Sequence, residues 1–151
     1  MIQFKVIPTI DALKTIYSDR NGWPFLYDFV DLSGEVEMID DEIYLFDNSG
    51  DHNYINTDES FWVAGYDNGK LCFLQLVHRT DKHEYDLVAA EKHRHSHVNG
   101  VFQKLIRYIT NTYDRNWECI TTFPINGRLK KYYIMNGFSE SGKELKLTAK
   151  S

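Results

Sequence analysis

The stretch that decides the fold runs from Phe61 to His78 and reads FWVAGYDNGKLCFLQLVH. Two apolar runs, rich in β-branched and aromatic residues, flank Asn68-Gly69. That dipeptide accepts the positive φ angles of a type I′ hairpin turn, whose twist matches the strands it joins. Asp67 and Lys70 bracket the turn with opposite charges. Strands are predicted over Phe61–Tyr66 and Lys70–His78. A third strand over Tyr85–Ala90 follows the polar turn Arg79–Lys82, and the three form an antiparallel meander.

Downstream the hydrophobic period changes. Val98, Val101, Phe102, Leu105, Ile106 and Ile109 recur at spacings of three and four, which predicts an amphipathic helix from about 97 to 113. Trp117–Phe123 reads as a strand that Pro124 stops, because proline offers no amide hydrogen to a ladder. Asn126 can cap a short helix carrying Leu129, Tyr132 and Tyr133, and Asn136-Gly137 suits its left-handed end. Glu144–Thr148 is the last strand. Upstream, Ile2–Ile7 alternates as a strand and ends at Pro8. Thr9 is placed to cap a helix with Ile10, Leu13, Ile16 and Tyr17, which Asn21-Gly22 breaks. Trp23-Pro24 opens a second helix with Phe25, Leu26, Phe29 and Val30 on one side. A short strand over Glu42–Phe46 precedes the turn Asp47-Asn48-Ser49-Gly50. Several strands ahead of one strong crossover helix predict an α+β domain, residues 1–151 as one unit, with a mixed, mostly antiparallel central sheet flanked by helices.

The 151 residues are 42% hydrophobic and 15% aromatic, material for a core that a disordered chain lacks. No apolar run approaches the roughly 20 residues needed to cross a bilayer, and no membrane partner is expected. The start lacks the uninterrupted apolar core of a signal peptide. Cys72 and Cys119 sit in apolar runs and read as buried thiols, so a cytoplasmic protein is expected. Charge is uneven: residues 1–60 hold three Lys/Arg against thirteen Asp/Glu, and residues 61–151 hold fourteen against nine. The acidic half is either a solvated surface or a face for a cationic partner. With no dense Lys/Arg stripe, nucleic acid is not an expected partner.

The element order and three stretches resemble the GNAT superfamily of acyl-CoA N-acyltransferases. The first stretch is the hairpin with the following YDLVAA (85–90). The second, EKHRHSHVNGVFQKLIRYI (91–109), stands where that superfamily has an Arg/Gln-x-x-Gly-x-Gly/Ala loop and the next helix. The third, INGRLKKYYIMNGF (125–138), resembles its Asn-x-x-Ala-x-x-x-Tyr-x-x-x-Gly-Phe segment, with Asn126, Tyr133, Gly137 and Phe138 at matching positions and Leu129 for Ala. The loop departs from the pattern. Arg94 matches, but His97 and Asn99 stand for the two glycines. Glycine serves such a loop because a phosphate approaches the backbone closely and some torsions disfavour a Cβ.

The resemblance implies transfer of an acetyl group from acetyl-CoA to an amine-bearing or basic acceptor. It implies that the backbone of Leu87, Val88 and Ala89 holds the pantetheine arm, and that Tyr133 gives a proton to the departing sulfur. Glu84 or Asp86 is then the base, directly or through water. The coenzyme's phosphates fall to Arg94, His95, His97, Val98, Asn99 and Gly100, with Asn126 nearby. Either the imidazoles and Arg94 replace the lost backbone contacts, or the pocket is closed. In the second case the fold serves as a binding or assembly protein without turnover, a drift expected of small phage or mobile-element proteins. In an extended segment His93, His95 and His97 would share one face. Ligands so close on one strand seldom complete a tetrahedral metal site, so phosphate contact or solvent exposure is expected and no metal. The wealth of aromatics permits a homodimer.

Overall fold

The computed structural model describes residues 1–48, 53–124 and 126–149. Ser49 and Gly50 of the predicted turn lie outside the described residues. The elements are β1 (Ile2–Ile7), α1 (Thr9–Ser18), α2 (Pro24–Leu32), β2 (Val36–Ile39), β3 (Glu42–Leu45), β4 (Ser60–Asp67), β5 (Lys70–Asp81), β6 (Glu84–Lys92), α3 (Val101–Tyr108), β7 (Cys119–Thr122), α4 (Gly127–Met135), β8 (Ser139–Ser141) and β9 (Glu144–Thr148). A π-helical turn, Ile109–Tyr113, prolongs α3. One seven-stranded sheet has the order β1-β4-β5-β6-β7-β9-β8, and β2 and β3 form a separate hairpin. Among the described residues only the β6–β7 pair is parallel; the other pairs are antiparallel. The expected α+β architecture is therefore present.

The hairpin formed as its turn chemistry required: Asn68 and Gly69 have φ of 51° and 80°. Alternation along β4 and β5 sends side chains to two cores. Trp62, Ala64, Leu74 and Leu76 pack with Leu13, Ile16, Leu26 and Val30 of α1 and α2. Val63, Phe73 and Val77 pack with Leu105 and Ile109 on the opposite face. At about 25 cal/mol per Å² of apolar surface, such burial dominates the stability of the sheet.

Three local expectations are corrected. Pro8, not Thr9, is the N-cap of α1, and no side chain bonds to that end; with φ already preset, proline opens the helix without one. The third helix begins at Val101 rather than near 97, because Gly100 takes φ +70° and turns the chain into it. The segment after Lys92 is not extended: Ser96 N–H donates to the His93 carbonyl at 2.9 Å, closing a turn that ends the alternation of the three histidines.

Candidate active site

The site begins where one strand outlasts its neighbour. β7 pairs with β6 over four positions, Glu84↔Cys119 to Leu87↔Thr122. Beyond Thr122 come Phe123 and Pro124, and the strand ends. β6 runs on to Lys92, so its edge facing β7 is unpaired from Val88 onward. On its other side β6 stays paired with β5, but the register slips: Leu76 pairs Ala89, while Val77 pairs Leu87. Val88 is the extra residue of a β-bulge, which twists a strand and re-aims its groups. Leu87 accordingly packs in the α3-side core, and Ala89 in the α1/α2-side core.

A cleft of about 430 Å³ opens at this splay. Leu87, Val88, Ala89, Ala90 and Lys92 of β6 line it. Val101 and Phe102 at the start of α3, with Leu129, Tyr132 and Tyr133 of α4, form the opposite wall. Phe25 of α2 also reaches it. Asn126 positions α4 by accepting from the Leu129 N–H at 2.9 Å. Its oxygen is thus committed to the helix cap, and Asn126 does not line the cleft. Glu91, which does, accepts from the N–H groups of Phe25 and Leu26 at 3.2 and 2.9 Å and so ties β6 to the first turn of α2.

Tyr133 is half-buried among Phe102, Tyr132 and Phe138. Burial pushes its phenol above the usual tyrosine range, against an opposing hydrogen bond with Thr122. It therefore keeps its proton at neutral pH and can act as a donor.

The loop residues do not plug the cleft. His95, His97, Val98 and Ser96 line a different hollow, with Asp67, Lys70 and Cys72 of the β4–β5 hairpin. Arg94 is exposed, and its backbone N–H donates to the Gly22 carbonyl at 3.0 Å. Asn99 and Gly100 are exposed. The small residue at the mouth of α3 is Gly100, where an added Cβ would meet nothing within 4 Å. No side chain caps α3, so its first amides have no capping partner. His93 has a structural place. Its Nε2 lies 2.8 Å from Asp19 Oδ2, and its ring stands edge-on to Trp23 at 5.0 Å. The His93 contact holds the Asp19 carboxyl below the usual range. A Cβ on Gly22 would collide with both groups, which is why glycine stands there.

The two candidate bases lie apart from Tyr133. Glu84 and Asp86 line a small hollow with Thr121, Cys119, Glu144 and Lys146, beside the paired part of β6 and β7. Burial raises the Asp86 carboxyl, and Glu144 adds to the effect while His78 and Lys146 oppose it. Cys119 and Cys72 are buried, free thiols that burial raises, the state of packing groups rather than nucleophiles.

Gln75 was not singled out from the sequence. It is 3% exposed, on β5 between Phe73 and Val77, and it lines the cleft. A Gln inside the apolar run LCFLQLV was the available signal, since a buried carboxamide needs partners.

No family model matches the chain, and no curated protein matches it in sequence. Solved structures do match. The PaiA N-acetyltransferase of Thermoplasma acidophilum, in complex with coenzyme A, superposes with a TM-score of 0.57 at 10% identity over 99% of each chain. The Campylobacter jejuni N-acetyltransferase PseH, in complex with acetyl coenzyme A, gives 0.57 at 10% identity, covering 99% of this chain and 100% of that one. The ribosomal-protein-S18-alanine N-acetyltransferase of Escherichia coli gives 0.61 at 10% identity, covering 100% and 96%. The chain has the fold of the GNAT N-acetyltransferases. No described helix is long and apolar enough to cross a membrane.

Proposed function

We propose that this protein is an N-acyltransferase that carries an acetyl group from acetyl-CoA to an amine acceptor. One observation carries the reading: the unpaired half of β6 borders an open cleft that leads from the Val88 bulge, past Tyr133, to the uncapped start of α3. The free edge of β6 suits the linear, amide-bearing pantetheine arm, which can hydrogen-bond to a strand as another strand would. The first amides of α3 and the open space at Gly100 suit the diphosphate. The exposed His97 and Asn99, which stand for the two glycines, do not line the cleft, which supports this reading.

In the transfer, the amine nitrogen bonds to the thioester carbonyl carbon and the carbon–sulfur bond breaks. The backbone around the Val88 bulge holds and polarises the carbonyl, as donors aimed at developing negative charge do. Tyr133, kept neutral by burial, gives its proton to the leaving sulfur. The amine's proton passes through water to Asp86. Its raised carboxyl makes it a better acceptor than an ordinary Asp, and it lies two residues before the bulge. Glu84 shares its hollow. The acidic first 60 residues favour a cationic acceptor. Two buried free thiols fit a reducing compartment and hence the cytoplasm.

The test is thermal unfolding with and without acetyl-CoA. A ligand bound only by the native state at 100 times its Kd adds about 2.7 kcal/mol, so the melting temperature should rise by several degrees. An unchanged Tm at millimolar acetyl-CoA would overturn the proposal and favour a binding protein without turnover.

A further inference from the structure

Gln75 is the only polar residue among those of β5 that line the splayed cleft. Its neighbours on the same face, Phe73 and Val77, are apolar core residues. The carboxamide is not idle. Nε2 donates to the Leu76 carbonyl at 2.8 Å and to the Ala89 carbonyl at 3.1 Å. Leu76 and Ala89 are the last pair before the register slips at Val88, so both hydrogens of Gln75 are committed to holding the bulge. The one hydrogen-bonding group left to Gln75 is its Oε1. Gln75 lines the cleft beside Leu87, Ala90, Val101 and Phe102, and an acceptor there is costly to desolvate when a ligand displaces water unless something donates to it. Apolar closure of the bulge would need no such oxygen.

From this geometry we infer that Gln75 is a ligand-positioning residue: its Oε1 accepts a hydrogen bond from an amide N–H of the arm that enters the cleft, while its Nε2 keeps the adjacent bulge in shape. The inference rests on the reading that the cleft takes a coenzyme A thioester, and it adds which side chain reads the arm's amides. A fatty or purely ethereal chain of the same length would leave Oε1 unpaired. The residue couples two functions through one carboxamide, so the bulge that presents the carbonyl and the group that registers the arm move together.

The experiment compares coenzyme A with analogues in which each pantetheine amide in turn is an ester, lacking only the N–H. Binding is measured by calorimetry to the wild-type protein and to Gln75→Met. The wild type should lose affinity by about three- to tenfold for one ester position, the worth of one neutral hydrogen bond. Gln75→Met should bind the amide and that ester equally, while 3′,5′-ADP, which lacks the arm, should bind both proteins alike. Equal affinity of the wild type for amide and esters overturns the inference while leaving the coenzyme A reading intact. So does a preference that survives in Gln75→Met. If Gln75→Met does not fold, the structure of the wild type with coenzyme A decides: an arm amide nitrogen within hydrogen-bond distance of Gln75 Oε1 supports the assignment, and none there ends it. A wild type that binds no coenzyme A sinks this inference together with the proposed function.

Discussion

The two ends of the β6–β7 pair are built on opposite plans. At the closed end, four parallel register pairs join the strands, and a polar clamp crosses outside them. There Asp114 Oδ2 accepts from the Tyr85 hydroxyl at 2.7 Å and lies 2.8 Å from His83 Nδ1. Burial works to raise the Asp114 carboxyl, but its bonds to His83, Tyr85 and Asn116 outweigh that and hold it below the usual range. The same contact, with burial the larger cause, drives the Tyr85 phenol well above its ordinary range. At the open end no strand among the described residues faces Val88–Lys92 across the gap, and the wall is apolar and aromatic side chains of α3 and α4. The difference teaches how a sheet can hold a wedge-shaped gap: one end is bolted by charge-assisted hydrogen bonds, so the other can leave backbone groups unpaired for a ligand.

Breaking the open end chemically should give the largest effect. Tyr133→Phe removes the proton donor and keeps the ring among Phe102 and Phe138. Turnover should fall about 100-fold, at the lower end of what a positioned acid contributes, with KM for acetyl-CoA within a few-fold; steady-state kinetics checks it. An equal fall in kcat and rise in KM would make Tyr133 a packing residue only.

Unbolting the closed end should act on stability instead. Asp114→Asn leaves Tyr85 and His83 with a weaker partner and should cost about 1.5–3 kcal/mol, the value of hydrogen bonds to a charged group, read by urea unfolding. The pH dependence has a definite sign. A carboxyl depressed in the folded state stabilises the protein above its unfolded pKa, and that stability is lost as pH falls through the folded value. The wild type should therefore lose its advantage over Asp114→Asn below about pH 4, the ordinary Asp range, while coenzyme A affinity at neutral pH is the same in both.

Asp86→Asn sharpens the boundary between the two ends, since Asp86 pairs across β6–β7 yet precedes the bulge. As a base reached only through water it should lower kcat/KM when lost, by less than the loss of the Tyr133 proton donor. The acid limb of the wild-type profile should lie above the ordinary Asp range, because burial raises this carboxyl. A limb unchanged in Asp86→Asn would assign the proton to solvent alone.

Much of the fold was readable locally. Ile2–Ile7 and Glu144–Thr148 span the observed strands. Asn68-Gly69, Pro24 and Asn126 stand at the turn, helix start and helix cap that their chemistry predicts. β2 and β8 were missed because β2 is only four residues, VEMI, without a clean alternation, and Ser139–Ser141 carries no apolar residue. In the site, Leu87, Val88, Ala89 and Tyr133 all line one cleft. Glu84, Asp86 and the histidines were brought to other hollows.

Sequence by itself determined the Asn68-Gly69 turn, the Asn126 cap, the strand stop before Pro124 and the order of the longer elements, because each depends on the torsions, hydrogen-bonding capacity or periodicity of a few adjacent residues. Tertiary structure alone decided that Val88 is the bulge, that Gln75 holds it, that His93 clamps Asp19 and that Asp114 reaches Tyr85. Each of these joins residues more than ten positions apart, and register between distant strands is set by how both faces of the sheet pack at once, which no local pattern encodes.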